Sequence, residues 1–183
     1  MGGRIQRELW EVAVDQYGYV TSKDARRLGI NPVELGKLAA RDQIEHVSYG
    51  VYRFAQLPVT PLDSYMLATL WASGRGVLSH DTALDLHDVC DINPSKVHIT
   101  VPGRRPERRG GELYLVHSEP LADDEVTWHE GIPIVTVRKA IEQGIASGVQ
   151  SYLLTQALRI ARDRGAITAD EHRRLTESLE ARS

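Results

Sequence analysis

The sequence has a single cysteine and no long hydrophobic run. Cys90 alone provides neither a disulfide framework within the chain nor a CxxC metal site, and one thiol fits a reducing compartment such as the cytoplasm. No apolar stretch approaches the roughly 20 residues needed to cross a bilayer, and the first residues lack the apolar core of a signal peptide. We therefore expect a cytoplasmic protein with no membrane partner.

Catalytic and metal-binding motifs are also absent. The seven histidines are scattered, with no HExxH and no His–Cys spacing, so the sequence predicts no metal site and no cofactor. Neither a glycine-rich phosphate loop nor a GxSxG motif is present. Ser79, His80 and Asp81 are consecutive, and adjacent residues do not generally converge as a catalytic triad. That pattern favours a helix cap, and we expect no enzymatic activity.

The net charge of −3 does not indicate indiscriminate binding to nucleic acid. Residues 1–58 carry 8 Lys/Arg against 7 Asp/Glu, residues 59–135 carry 6 against 12, and residues 136–183 carry 8 against 6. The acidic middle has one basic exception, residues 104–109, with four arginines and one glutamate. The charge distribution therefore favours weak, specific DNA binding over general coating.

Residues 19–54 predict a helix-turn-helix followed by a β-hairpin, which is the outline of a winged helix. Thr21 or Ser22 can cap the first helix, and Gly29 suits its left-handed end. Asn31 can cap the second helix, and the proline that follows it suits the first turn of that helix, where a missing N–H costs nothing. Two β-prone runs around a Ser-Tyr-Gly turn complete the pattern.

The second of these helices is the predicted recognition helix. Leu35 and Leu38 form its apolar stripe, whereas Lys37 and Arg41 are four residues apart and share the outer face. Those two cations either reach a DNA groove or only solvate a free face. The complete set of candidate DNA contacts, on the helices and the predicted wing, is Ser22, Lys23, Asn31, Val33, Glu34, Lys37, Arg41, Tyr49 and Arg53.

A proline-marked break divides the predicted DNA-binding domain, 1–58, from a second domain, 59–183. Within the second domain, Val77-Leu78 reads as a brief apolar link between helices. Alternating patterns predict strands at 96–101, 112–117, 125–129 and 132–135. The expected fold class is α/β of the α+β kind: a winged helix-turn-helix, then a small mixed α/β domain with a short sheet and C-terminal helices.

Four arginines lie in the polar loop between the first two of these strands. Arg104, Arg105, Arg108 and Arg109 can bind phosphate through their guanidinium forks, dock an acidic protein, or only solvate the loop. The residues alone leave all three roles open. We treat these arginines as candidates for additional phosphate or partner contacts.

The order of these segments resembles the AbiEi-type antitoxins of bacterial nucleotidyltransferase toxin–antitoxin systems. The resemblance runs from about residue 19 to residue 145 and rests on YVTSKDARRLGINPVELGKL, VSYGVYRF, LSHDTALDLHDV, KVHITVPGRR and GIPIVTVRKAIEQGI. It implies a winged-helix domain that represses its own operon by binding inverted repeats, with self-association on the DNA. It also implies a C-terminal domain that helps to neutralise a cognate nucleotidyltransferase-like toxin.

Two alternatives stand beside this interpretation. The first is a stand-alone winged-helix transcriptional regulator, or a protein-interaction module without a toxin partner, and the small +1 charge of residues 1–58 motivates it. The second is a small enzyme, which only the scattered histidines and carboxylates support. A pocket with a converging acid–base pair would favour that enzyme.

Overall fold

The computed structural model describes residues 3–182, which divide into two compact units. The first unit contains the chain up to Gly76 together with Pro106–Glu112, and the second contains Val77–Arg105 and the chain from Leu113 onward. The predicted boundary near residue 58 falls inside the first of these compact units. Residues 106–112 thus lie between two segments of the second unit in the sequence but belong to the first unit.

Four helices and three short strands make up the first unit. In chain order they are α1 Arg4–Asp15, β1 Tyr19–Thr21, α2 Ser22–Arg27, α3 Val33–Ala40, β2 Glu45–Ser48, β3 Val51–Arg53 and α4 Asp63–Trp71. The strands form an antiparallel sheet in the order β1-β3-β2.

A reciprocal capping box begins α2. The Thr21 hydroxyl accepts from the Asp24 N–H at 3.1 Å, and the Asp24 carboxylate accepts from the Thr21 N–H at 2.9 Å. These two bonds satisfy amide groups that a helix end otherwise leaves without partners. Of the two predicted caps, the structure selects Thr21.

The turn between α2 and α3 follows its local sequence. Gly29 has a φ of +71°, a value that glycine adopts without steric strain. Ile30 is buried, and its N–H donates to the Ala25 carbonyl at 2.8 Å. The Asn31 side chain accepts from the Val33 N–H at 3.0 Å, as the predicted cap requires. This turn fixes α3 against a core formed by Leu9, Ala13, Val20, Ala25, Ile30, Leu35, Leu38, Ile44 and Phe54.

The second unit combines five strands with four helices. They are β4 Val77–Leu78, α5 His80–Leu86, β5 Val97–Val101, β6 Tyr114–Ser118, β7 Val126–His129, β8 Ile132–Val135, α6 Val137–Ser147, α7 Ser151–Asp163 and α8 Ala169–Arg182. Short 3-10 turns lie at Gly111–Leu113 and Asp123–Glu125.

The sheet of the second unit is mixed, with the strand order β6-β5-β4-β8-β7. The pair Val77-Leu78, expected to be a link, is its central strand, because Leu78 lies between Ile99 and Ile134. Strands β5 and β6 run parallel, so the chain between them is a crossover rather than a hairpin loop. Strands β7 and β8, both predicted from their alternating patterns, form a hairpin whose two turn residues, Glu130 and Gly131, both have positive φ.

The C-terminal helices begin and end at local signals. Thr136 accepts from the Lys139 N–H at the start of α6, and Gly148 ends that helix with a φ of +84°. Before α8, Thr168 and Glu171 form a capping box. No helix within residues 3–182 has the length and hydropathy needed to span a membrane.

Candidate nucleic-acid interface

Helix α3 presents a polar, largely exposed face opposite its buried leucines. Leu35 and Leu38 are buried, while Val33 is 59% exposed and Arg41 at the helix end is exposed. Lys37 is about half exposed and pairs with Glu34 on the preceding turn at 2.6 Å. Glu34 thus holds the ammonium group of Lys37 on the outer face, and its carboxylate competes with any other anion for that group.

The tip of the β2–β3 hairpin lies against the start of α2. The Gly50 carbonyl accepts from the Ser22 N–H at 2.9 Å, and a Cβ added at Gly50 would lie 3.3 Å from the Ser22 hydroxyl. The neighbouring Tyr49 stays 70% exposed. The backbone contact therefore fixes the hairpin tip, which carries this exposed aromatic residue, against the first turn of α2.

Arg53 does not lie on this surface, contrary to expectation. It is buried and donates to the Leu57 and Pro58 carbonyls, each at 3.1 Å, and to the Asp63 carboxylate at 3.2 Å. Its guanidinium also lies 5.8 Å from the Tyr19 ring centre. These contacts saturate the side chain internally, so Arg53 stabilises the unit and is removed from the candidate DNA contacts.

Arg26 and Arg27 on α2 extend the candidate surface beyond the predicted set, which already contains Lys23. Lys23, Arg26 and Arg27 are exposed and follow the spacing of one helix face. Arg27 pairs with Asp24 at 3.2 Å. The sequence contained this signal, because the three cations fall three and four residues apart. Ser22, in contrast, is only partly exposed.

The four arginines of the polar loop are divided equally between the two units. Arg104 and Arg105 are exposed and belong to the second unit, whereas Arg108 and Arg109 belong to the first. The Arg108 guanidinium donates to the Trp71 carbonyl at 3.2 Å, and the Trp71 ring N–H donates to the Arg109 carbonyl at 2.8 Å. Residues 106–112 are thus anchored, and only the Arg109 side chain of this pair is exposed.

Ser79, His80 and Asp81 form neither a triad nor the expected side-chain cap. Ser79 occupies the N-cap position of α5 without a capping bond. Its hydroxyl instead accepts from the Thr100 hydroxyl at 2.8 Å and lies 2.9 Å from His80 Nδ1. Asp81 lies nearest to His98, at 4.0 Å. The residues are therefore part of a polar cluster built from separate strands, which no local motif revealed.

A family model described as "Transcriptional regulator, AbiEi antitoxin" matches residues 7–55 of the chain. No curated protein gives a match. The matched segment extends from α1 to just beyond β3, and it includes α3 and the β2–β3 hairpin. Residues 7–55 are therefore similar to the transcriptional regulators of the AbiEi antitoxin family, which confirms the predicted resemblance over this segment.

Proposed function

We propose that the first unit is a winged helix-turn-helix that binds operator DNA. The element order α1-β1-α2-α3-β2-β3, with its three-stranded antiparallel sheet, supports this assignment. Helix α3 serves as the recognition helix, since its outer face is free of the core and a major groove about 12 Å wide admits an α-helix. The β2–β3 hairpin is the wing.

The exposed cations divide into two roles on the DNA. Lys37 and Arg41 on α3 reach base edges or flanking phosphates, and Val33 contributes an apolar contact at the start of that helix. Lys23 at the start of α2 contacts the backbone together with Tyr49 at the hairpin tip. Ser22, Asn31 and Glu34 act mainly by fixing the ends and charge of these helices.

The chain functions, in this proposal, as an antitoxin that represses its own operon in the cytoplasm. Two copies bind inverted repeats whose half-sites lie on one face of the duplex, roughly 34 Å or a multiple apart. We assign DNA binding to residues 1–58 and neutralisation of a nucleotidyltransferase-like toxin to residues 59–183. The observation that carries the proposal is the family match over the segment that presents α3.

The test is an electrophoretic shift assay with DNA from upstream of the gene. Replacing Lys37 and Arg41 together by alanine should weaken DNA binding at least tenfold, because the double substitution removes both cations from the outer face of α3. A matched control replaces Arg159 and Arg173, two surface cations of α7 and α8 with similar ion pairs. The control removes the same charge, so it should bind almost as the parent does.

The salt dependence adds a second readout. If both side chains neutralise phosphates, the slope of log affinity against log salt should flatten by about 1.8 in the Lys37→Ala/Arg41→Ala protein. Equal affinity and slope in the folded double variant and the control would contradict the assignment of α3. Far-ultraviolet circular dichroism establishes that the variant is folded.

A protein partner on the same surface is the second candidate function. The net charge of +1 over residues 1–58 favours it, because so small a charge contributes little general attraction to DNA. Co-expression with the adjacent gene product, followed by purification through the full-length chain, tests this function. A complex that forms while no salt-dependent DNA binding is measurable would favour it over operator binding.

A further inference from the structure

Three histidines far apart in the sequence converge in the second unit. His80, His98 and His117 each offer a ring nitrogen, and these three atoms lie within 4.8 Å of one another. They come from the start of α5, from β5 and from β6. None is fully exposed, and His80 is buried.

The parallel pairing of β5 and β6 places two of the rings together. Thr100 pairs with His117, and His98 lies two residues before Thr100, so His98 and His117 project from the same face of the sheet. The third ring comes from the residue after Ser79, whose N–H donates to the His98 carbonyl at 3.1 Å. The sheet therefore assembles the cluster from three separate segments.

His80 is held in an unusual backbone conformation at this position. Its φ is +51°, a left-handed value that is uncommon outside glycine. The buried Gln143 side chain accepts from the His80 N–H at 3.1 Å. The ring of His80 stacks on that of His117 with centres 3.5 Å apart. A non-glycine residue kept at positive φ by specific contacts is often found at functional sites.

Contacts at the ring nitrogens indicate which of them would face a shared ion. His98 Nδ1 and His117 Nε2 face each other at 3.2 Å. His98 Nε2 points instead to the Asp81 carboxylate at 4.0 Å, and His80 Nδ1 lies 2.9 Å from the Ser79 hydroxyl, which leaves His80 Nε2 for a ligand. Metal-binding histidines typically have one nitrogen on the ion and the other held by an oxygen. The Ser79 hydroxyl fits this role for His80, whereas Asp81 lies beyond hydrogen-bond distance of His98 and would approach it on metal binding.

The spacing of the ring nitrogens is near that of a metal site. Nitrogens bound to one zinc ion at about 2.0–2.1 Å lie roughly 3.4 Å apart in a tetrahedral site. The rings of His80 and His117, stacked at 14°, turn relative to each other to bring both nitrogens onto one ion.

A concavity gives access to the cluster from one side. Its volume is about 430 Å³, and its lining includes His80, Glu119, Lys139 and Gln143. Glu119 accepts from Gln143 at 2.9 Å and pairs with Lys139, so its charge is already compensated. The opening therefore provides room for a water or small anion next to His80, the one of the three imidazoles that lines it.

We propose that His80, His98 and His117 bind one divalent transition-metal ion of the zinc class, with His80 at the edge of this concavity. Three imidazoles favour Zn²⁺, Co²⁺, Ni²⁺ or Cu²⁺ over Mg²⁺ or Ca²⁺, which prefer oxygen ligands. The ion cross-links α5, β5 and β6 and thereby stabilises the sheet of the second unit. This site is independent of the proposed DNA-binding role.

Titration of the metal-free full-length chain with Co²⁺ tests the site. We expect the visible absorption of tetrahedral Co²⁺ to saturate at one ion per chain and to disappear when Zn²⁺ displaces it. His98→Gln and His117→Gln should each abolish this absorption, while His46→Gln, which alters an exposed histidine of the first unit, should leave it unchanged. Absence of the absorption, or its persistence in His98→Gln, would overturn the proposal.

A measurement on the unmodified protein covers the case in which the variants fail to fold. Zn²⁺ should raise the thermal midpoint and a chelator should reverse the increase, because an ion that binds only the folded state stabilises it. In nitrogen-15 spectra of the imidazoles, the ring signals of the three clustered histidines should shift and those of the other four should not. Shifts confined to other histidines would overturn the site.

Asp81 tests the orientation of His98. Asp81→Asn keeps all three ligands and should weaken Zn²⁺ binding about 10–100-fold at an unchanged stoichiometry, as expected for a residue that positions a ligand. Unchanged affinity would contradict the assignment of His98 Nδ1 to the ion.

Discussion

The guanidinium carbon of Arg108 lies 5.2 Å from the ring centre of Tyr49, the exposed residue at the hairpin tip. The same guanidinium donates to the Trp71 carbonyl. Arg108 therefore connects α4 to the hairpin within the first unit, and its charge lies next to the proposed wing. A cation over a tyrosine face contributes about 0.5–1 kcal/mol at an exposed position.

We predict that Arg108 and Arg109 contribute to the salt dependence of operator binding. Replacing both by alanine should flatten the slope of log affinity against log salt by about 0.9 for each phosphate that is no longer neutralised. The slope is measured by titrating operator DNA at several salt concentrations. The comparison variant, Arg104→Ala/Arg105→Ala, removes the same charge from the part of the loop in the second unit. Identical slopes in the parent and the Arg108/Arg109 variant would leave these two residues without a role on DNA.

The buried ion pair of Arg53 and Asp63 should be necessary for the stability of the first unit. Both side chains are only 9% exposed, so Arg53→Met would leave a buried carboxylate without its cation. We expect a loss of about 3–5 kcal/mol in the free energy of unfolding, measured by urea denaturation. Arg159→Ala breaks an exposed pair and should cost at most about 1 kcal/mol. A similar loss in both proteins would contradict this account.

The capping box at Thr21 gives a smaller, local prediction. Thr21→Ala removes the hydroxyl that accepts from the Asp24 N–H and should destabilise the first unit by about 1 kcal/mol. Thr21→Ser retains the hydroxyl and should recover most of that loss. Hydrogen exchange of the α2 amides checks the prediction, because weaker capping increases opening of the first turn. Equal exchange rates in the alanine and serine proteins would exclude the capping contribution.

His87 should make the second unit sensitive to mild acid. Burial lowers the pKa of His87 from the ordinary value of 6.5, and nearby His129 lowers it further. A hydrogen bond to the Val135 carbonyl at 2.8 Å acts in the opposite direction and raises the pKa. In the unfolded chain the ring takes up a proton near pH 6.5, whereas the folded state resists protonation. Its stabilising contribution is thus complete above that pH and is lost as the pH falls towards the folded pKa.

His87→Gln removes this titration and retains a side-chain donor. Between about pH 7 and pH 5, the free energy of unfolding should fall less steeply in the variant, by up to about 1.4 kcal/mol per pH unit for one proton. Urea denaturation at each pH measures the slope. His46→Gln, at an exposed position, should follow the parent protein. A parent-like slope in His87→Gln would show that another group controls the acid response.

Local sequence was sufficient for most elements of the first unit. Three features act only on residues within a few positions of themselves: the Gly29 turn, the Asn31 cap and the Tyr49-Gly50 turn. Such local features can be predicted from the sequence. The candidate surface was predicted less well. Lys37 and Arg41 lie on the outer face as expected, but Arg53 is buried, because its partner Asp63 is ten residues away and beyond any local pattern.

The second unit shows the same limit more strongly. The cap at Thr136 follows its local sequence, but the side-chain cap expected at Ser79 does not form. The two-residue strand Val77-Leu78 is too short to show a periodic pattern, and it becomes central only through its pairing with Ile99 and Ile134. The parallel pairing of β5 and β6 likewise depends on the path of the connection between them, and the sequence of neither strand predicts it.

The sequence by itself determined where helices and turns begin and end, and it determined the resemblance of the N-terminal segment to a family of regulators. Caps, glycine turns and apolar periods act over three or four residues, which explains why they can be read directly. Only the tertiary structure decided that Arg53 lies inside and that His80, His98 and His117 meet. The histidine cluster depends on strand pairing between distant segments, and the burial of Arg53 depends on partners in the following segment that no local pattern connects to it.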